Sequence, residues 1–216
     1  MRRADLCAVV VFALGCIAAV SAASADPFNP PVIRWSEMTR RGDPRAFATL
    51  AGFAACVLKR APDASAKFLA MDFPSKQAEG EALKLASDNE ACLTNTFVAM
   101  FTGEYLRGAL IEAAYHEEEG TRPPYRLGST GTGDMGLPLT VAQCVVESQP
   151  QFSAELLATR IAFAEQRRAF AKLEPTINRC AAEKGVRQVE PGLLRFHIAE
   201  VFYRRRAGAL SAGTAK

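Results

Sequence analysis

Three residue types recur in this chain at one spacing and could do chemistry together. Arg107, Glu112 and Tyr115 stand in the first half, and Arg195, Glu200 and Tyr203 stand 88 residues later. A guanidinium, a carboxylate and a phenol can bind an anion, orient a substrate or move a proton. On a helix, Glu112 and Tyr115 fall three apart and share a face, as do Glu200 and Tyr203. Arg107 and Glu112 are five apart, roughly 140° around the axis, so direct pairing within the helix is not expected. Two readings follow. In the first, the repeated residues form the halves of a twofold-related recognition site. In the second, Arg and Glu tie their helix to its neighbours while Tyr packs with its hydroxyl at an edge. The second is preferred, because no nucleophile or metal ligand accompanies the set.

The other candidates are weaker. The chain has two histidines. His116 adjoins Glu117, Glu118 and Glu119, and His197 lies three residues before Glu200, which could place two ligands on one helix face. Neither histidine falls at a duplicated position and no third ligand is evident, so no metal is expected. Gly128 to Asp134 lacks the G-x-x-x-x-G-K-[ST] form of a phosphate loop and reads as a flexible linker. The Arg204-Arg205-Arg206 run reads as favouring the carboxyl end of its own helix, with anionic lipid as a weaker alternative. No nucleophile elbow is present. A triad assembled in space from distant residues stays open, but no catalytic residue and no cofactor is assigned.

The elements that must position these residues are written twice. Cys56 to Cys92 spans 36 residues, as does Cys144 to Cys180, and the pairs are offset by 88. At that offset Val57 matches Val145, Pro62 matches Pro150, Ser65-Ala66 matches Ser153-Ala154, and Leu69-Ala70 matches Leu157-Ala158. Lys84-Leu85 also matches Lys172-Leu173, and Leu106-Arg107 matches Leu194-Arg195. So many matches at one offset indicate two tandem units. Each reads as helical. Phe47, Leu50, Phe53, Ala54, Val57 and Leu58 follow a 3.6-residue period. Pro62, Pro150 and Pro191 suit helix starts. Ser87-Asp88-Asn89-Glu90 has capping-box form, and Pro175 falls at nearly the equivalent place, so both units are expected to start a helix there. The expected fold is all-α: two pseudo-symmetric units of about four or five short helices each by this period-and-cap reading.

The bulk sequence sets the compartment. A basic start at Arg2-Arg3, an uncharged run from Leu6 to Ala22 and an Ala23-Ser24-Ala25 site have the form of a secretory signal peptide. Cleavage is expected near Ala25, giving a periplasmic or secreted chain. The expected boundaries are 1–25 signal peptide, 26–44 extended lead-in, 45–120 first unit, 121–137 linker, 138–206 second unit and 207–216 flexible tail. The net charge is +3, and losing Arg2, Arg3 and Asp5 lowers it by one. So even a balance argues against a dedicated nucleic-acid partner. No later stretch is long and apolar enough to span a bilayer. An even number of cysteines after cleavage (Cys56, Cys92, Cys144 and Cys180) favours disulfides in an exported protein. Three connectivities are open to them. Equal spacing favours Cys56–Cys92 and Cys144–Cys180, each worth roughly 3–4 kcal/mol by loop closure.

At the level of the two cysteines followed by Leu-Arg-Gly-Ala-Leu-Ile-Glu-Ala-Ala-Tyr (106–115), the chain resembles uncharacterised exported bacterial proteins with paired-cysteine helical units. The second unit departs from this, with Leu-Arg-Phe-His-Ile-Ala-Glu-Val-Phe-Tyr at 194–203. The resemblance implies an envelope location and carries no activity. The leading expectation is a non-enzymatic helical scaffold or binding protein for an unidentified protein or small-molecule ligand. A hydrolase with a site near Glu112, Glu200 or His197 is the first alternative, and a periplasmic stress chaperone the second.

Overall fold

Helix-forming periodicity, interrupted by proline and capping signals, sets the order of elements in the computed structural model, which describes residues 33–34, 44–93, 99–100, 102–117, 125–130, 136–161, 163–187 and 189–213. The first half holds α1 (Pro44–Arg60), α2 (Pro62–Leu69), α3 (Lys76–Ser87), a 3-10 turn at Glu90–Cys92 and α4 (Gly103–His116). The second holds α5 (Gly136–Ser148), α6 (Pro150–Ala158), α7 (Ala164–Glu183) and α8 (Pro191–Gly213). Two-residue strands, β1 (Ile33–Arg34) and β2 (Ala99–Met100), pair in parallel with Ile33 opposite Ala99. Apart from an isolated parallel bridge between Phe73 and Thr130, everything else regular among the described residues is helix. No helix among them is long and apolar enough to cross a membrane. The signal-peptide segment 1–25 lies outside the described residues, as does all of the 26–44 lead-in except Ile33–Arg34 and Pro44.

Local chemistry explains the helix ends. Pro62 and Pro150 occupy the first turns of α2 and α6, where the missing N–H has no partner to lose. The Ser75 hydroxyl accepts from Ala78 N at 3.1 Å and caps α3. Carboxylates close the starts of the two central helices. Glu79 accepts from Gly103 N at 2.8 Å for α4, and Glu190 accepts from Gly192 N and Leu193 N for α8.

Packing gives two hydrophobic cores. The first gathers Phe47, Leu50, Phe53, Val57, Phe68 and Leu110 with others from α1 to α4, and takes in Ile161, Phe196 and Tyr203 from the second half. The second gathers Val141, Val145, Leu156, Leu173, Leu194 and Ile198 from α5 to α8. Helix α8 therefore serves both cores, and the expected boundary between units at 120/138 runs through a shared interface. At the crossing of α4 and α8, a Cβ at Gly108 would lie 2.6 Å from Phe196 Cβ, so glycine is what lets the ring sit there. The disulfides are Cys56–Cys92 and Cys144–Cys180, with Cα–Cα separations of 5.6 and 5.9 Å, inside the usual range. They join α1 to the 3-10 turn and α5 to α7.

Four expectations need correction. Pro175 starts no helix: it lies inside α7. Its missing N–H leaves the carbonyl of Ala171 without the usual donor, but Ala171 is exposed and water can serve it. The buried face of Leu173, Thr176 and Cys180, tied by the disulfide, holds the helix through this point. The capping box also fails. Ser87 ends α3, its hydroxyl donating to Lys84 O at 3.0 Å, and buried Asn89 donates to Leu85 O at 2.9 Å. These side chains close one helix instead of opening the next. The last helix continues to Gly213, beyond the tail boundary at 207. Finally, residues 125–130 of the expected flexible linker are pinned by hydrogen bonds. Gly128 N donates to Leu69 O at 2.9 Å, Phe73 N donates to Ser129 O at 2.9 Å, and Ser129 donates to Asp72 from both its N and its hydroxyl.

Candidate functional site

The repeated Arg and Glu residues meet across the two halves. Within each helix they point apart, as their five-residue spacing requires. Between helices the partners are exchanged: Arg195 of α8 pairs with Glu112 of α4, and Arg107 of α4 pairs with Glu200 of α8. All four side chains are buried, and Arg195 is the largest fully buried side chain among the described residues.

The two pairs differ in quality. Arg195 donates to Glu112 Oε1 from Nε at 2.8 Å and from Nη2 at 2.7 Å. Its remaining N–H groups reach Leu156 O at 2.8 Å, Leu157 O at 3.1 Å, Thr159 O at 2.8 Å and Thr159 Oγ1 at 3.0 Å. The guanidinium thus caps the carboxyl end of α6 and neutralises a carboxylate at once. Arg107 has longer bonds, 3.5 Å to Glu200 Oε1 and 3.4 Å to Gly128 O, and its Nε is buried without a hydrogen bond. In the first half the strap 125–130 takes the role that Arg195 plays in the second. Gly128 N satisfies Leu69 O, the position 88 residues before Leu157. Only glycine fits there, since a Cβ at 128 would stand 2.0 Å from Met71 O.

Each glutamate has a second basic side chain four residues on. His116 Nε2 lies 3.7 Å from Glu112, and Arg204 donates to Glu200 at 2.7 and 3.0 Å. These positions are themselves 88 apart, a signal that matching for identity misses because the residue types differ. His197 adds a further neighbour: its Nδ1 is 3.8 Å from Glu200 and its Nε2 is 3.6 Å from Glu104. Burial pushes Glu200 toward neutrality, but His197, Arg107 and Arg204 outweigh it and bring its pKa down to about 2. Burial likewise opposes the charge on Glu112, and His116 and Arg195 reverse it, leaving its pKa below the usual carboxylate range. Burial pulls Arg107 below the usual arginine range, with Glu200 pulling back.

The tyrosines diverge. Tyr203 is buried, and its hydroxyl accepts from Tyr125 N of the strap. Tyr115 is half-buried, with its ring 6.0 Å from Phe202 and 5.2 Å from the His116 ring. The arginine run serves neither its own helix end nor a free surface patch. Arg206 donates to Tyr115 O at 3.0 Å and Ala114 O at 3.2 Å, capping α4, and its guanidinium lies over the rings of Tyr115 and Tyr203. Arg205 reaches Glu147 at 3.5 Å. Because α8 runs on to Gly213, these residues are not at its end. Among the described residues no group of three or more His, Cys, Asp and Glu side chains could hold a metal ion. The sequence reading missed Glu104, Thr159, the pairing of Arg204 with Glu200, and the strap contacts.

A cavity of about 640 Å³ lies elsewhere, along α7. Phe47 at the start of α1, Val186 and Arg187, and residues 189–192 leading into α8 complete it. Its walls include Ile161, Phe170, Ile177, Val186 and Val189, and its charged residues are Arg167, Arg187, Glu174 and Glu190. None of the repeated Arg, Glu or Tyr residues lines it.

Compared with protein-family models, with curated proteins and with solved structures, the chain gives no match.

Proposed function

We propose that this chain is an exported binding protein that holds a small molecule in the cavity along α7, and that its halves are tandem copies interlocked through α4 and α8. The cavity is the observation that carries this reading. Its volume falls in the range of roughly 300–1,000 Å³ typical of small-molecule sites, and such sites combine apolar walls with a few polar groups. The ion-paired cluster acts as scaffold. A carboxylate with a pKa of about 2 is poorly matched to general acid or base work near neutrality, and the Glu112 carboxylate is committed to Arg195. This disfavours the hydrolase alternative built on Glu112, Glu200 and His197.

Export is supported by two disulfides and by the absence of a membrane-crossing helix among the described residues, which fit a secreted or periplasmic protein. Cleavage near Ala25 predicts Asp26 as the first residue of the exported protein, which terminal sequencing reads directly. Tandem duplication is supported by the exchanged pairs, whose partners are related by the same 88-residue offset as the cysteines. Binding is tested by native mass spectrometry of the chain recovered from its own cell envelope without reductant. A mass adduct on the wild type that Ala171→Trp removes is the expected result, since residue 171 lines the cavity from an exposed position. A bare mass for the wild type counts against the reading.

A further inference from the structure

We propose that residues 125–130 form a releasable latch, and that Arg107 takes over the strap's hold on α2 when the strap leaves. Nothing in this depends on the cavity. The two halves close the carboxyl ends of α2 and α6 with different groups. In the second half the Arg195 guanidinium donates to Leu156 O, Leu157 O and Thr159 O. The positions 88 residues earlier are Phe68, Leu69 and Met71. Gly128 stands there instead of a guanidinium. Its N donates to Leu69 O at 2.9 Å, and an added Cβ would lie 2.0 Å from Met71 O. On its other side, Gly128 O accepts from Arg107 Nη2 at 3.4 Å. Gly128 is thus interposed between Arg107 and the carbonyls equivalent to those that Arg195 holds.

Arg107 is poorly served in this arrangement. Its two hydrogen bonds are long, and its buried Nε has no partner. An unmade hydrogen bond on a buried charged group is costly. With Gly128 gone, a move of about 3.5 Å, the span of one residue, would bring the guanidinium to Leu69 O and Met71 O. Glu200 would keep Arg204 at 2.7 Å and could accept from Arg107 Nε, as Glu112 accepts from Arg195 Nε. The anchors of the strap also differ in what their loss leaves behind. Ser129 and Asp72 are exposed, so water can replace the bonds between them. Leu69 is fully buried, and losing Gly128 N would strand its carbonyl. Arg107 removes that penalty. The second half shows the same helix end closed by an arginine, so the open arrangement has a precedent within the chain. Release would free the chain between α4 and α5 while α2 stays capped.

The test is a double-mutant cycle on the oxidised full chain. Gly128→Ala opens the latch, because the added Cβ has no room. Urea unfolding of the wild type, Gly128→Ala, Arg107→Met and the double variant gives the coupling between strap and arginine. Arg107→Met is expected to raise the unfolding equilibrium constant at least about tenfold more in Gly128→Ala than in the wild type. A strap that merely shares contacts with Arg107 gives the opposite sign, since Arg107 then loses Gly128 O and matters less. An equal or smaller effect in Gly128→Ala overturns the exchange. If the double variant does not fold, the Arg107 Nε–H resonance in Gly128→Ala decides, assigned by its absence from Arg107→Met. A downfield move on gaining a hydrogen bond is expected, and an unchanged resonance overturns the exchange. Limited proteolysis reads the opening itself: faster cleavage near residues 125–130 in Gly128→Ala is expected, and unchanged cleavage overturns the releasable latch.

Discussion

Replacing Arg195 by Met should cost far more than replacing Arg107 by Met, although the two occupy equivalent places in the repeated pattern. Arg195→Met keeps most of the volume and removes six hydrogen bonds. It leaves Glu112 buried, with only the His116 imidazole at 3.7 Å beside it, and it strips the cap from Leu156, Leu157 and Thr159. Removing one member of a buried pair costs about 3–5 kcal/mol, and carbonyls left unsatisfied add to that. Arg107→Met removes two long bonds, and Glu200 keeps Arg204 at 2.7 Å and His197 at 3.8 Å. Its cost should stay within about 1.5–3 kcal/mol, the value of a hydrogen bond to a charged group. Urea unfolding with both disulfides intact reads the difference as a change in midpoint at constant slope. The second arm is Arg195→Met/Glu112→Leu, which removes the stranded carboxylate. It should recover the part of the loss due to the buried charge and leave the part due to the uncapped α6. An Arg195→Met protein within about 1 kcal/mol of the wild type, or one more stable than Arg107→Met, would refute the reasoning, since both outcomes fall outside the range for a broken buried pair.

Three further outcomes are expected. Burial pushes His197 down, but Glu104 of α4 and Glu200 of its own helix outweigh it and raise its pKa above 6.5, with Arg107 and Arg204 on the far side of Glu200. Its contribution to stability is therefore complete below about pH 6.5 and fades as pH rises through the folded value; unfolding free energies across that range should lose this alkaline fall in His197→Gln. Gly128→Ala forces a Cβ to within 2.0 Å of Met71 O, so the strap must shift; a loss of about 2 kcal/mol or more and faster proteolytic cleavage near residues 125–130 are expected, and unchanged cleavage counts against the pinned strap. Each disulfide closes a 36-residue separation and should contribute roughly 4 kcal/mol by loop closure, measured by paired Cys→Ala substitution; peptide mapping without reductant that joined Cys56 to Cys144 would contradict the structure.

Much of the helical layout was legible because its signals are local. Pro62, Pro150 and Pro191 mark helix starts wherever the rest of the chain goes, since a proline in the first turn forfeits no hydrogen bond. Spacing likewise shows that Arg107 and Glu112 cannot meet on one helix. It cannot show that each finds its partner on α8 or α4, because that depends on which faces two distant helices present to each other. Pro175 was misleading for the same reason: burial of the α7 face against α5 and α6, and the Cys144–Cys180 link, override a local breaker. The strap was hidden by its composition. Glycine at 128 signals flexibility in isolation and close approach once Met71 O is seen beside it. The cavity had no sequence signature, since Phe47 and Ile177 belong to different halves and ordinary apolar periodicity accounts for both.

If the halves are copies, their differences say what one chain gains over two identical subunits. In a symmetric pair of identical copies, a residue beside the axis meets its own counterpart. Gly108 and Phe196 stand 88 apart and touch each other. Two glycines there would leave a void, and two phenylalanines would collide. A single chain can place glycine opposite phenylalanine and fill the crossing. The same freedom separates the outer helices. In the first half α3 ends at Ser87, whereas in the second α7 passes the equivalent position, Pro175, and continues to Glu183. That continuation carries Ile177, Asn178, Ala181 and Ala182, which line the cavity. The extra length of α7 that local sequence would have ended at Pro175 is thus the length that forms one wall of the proposed binding site.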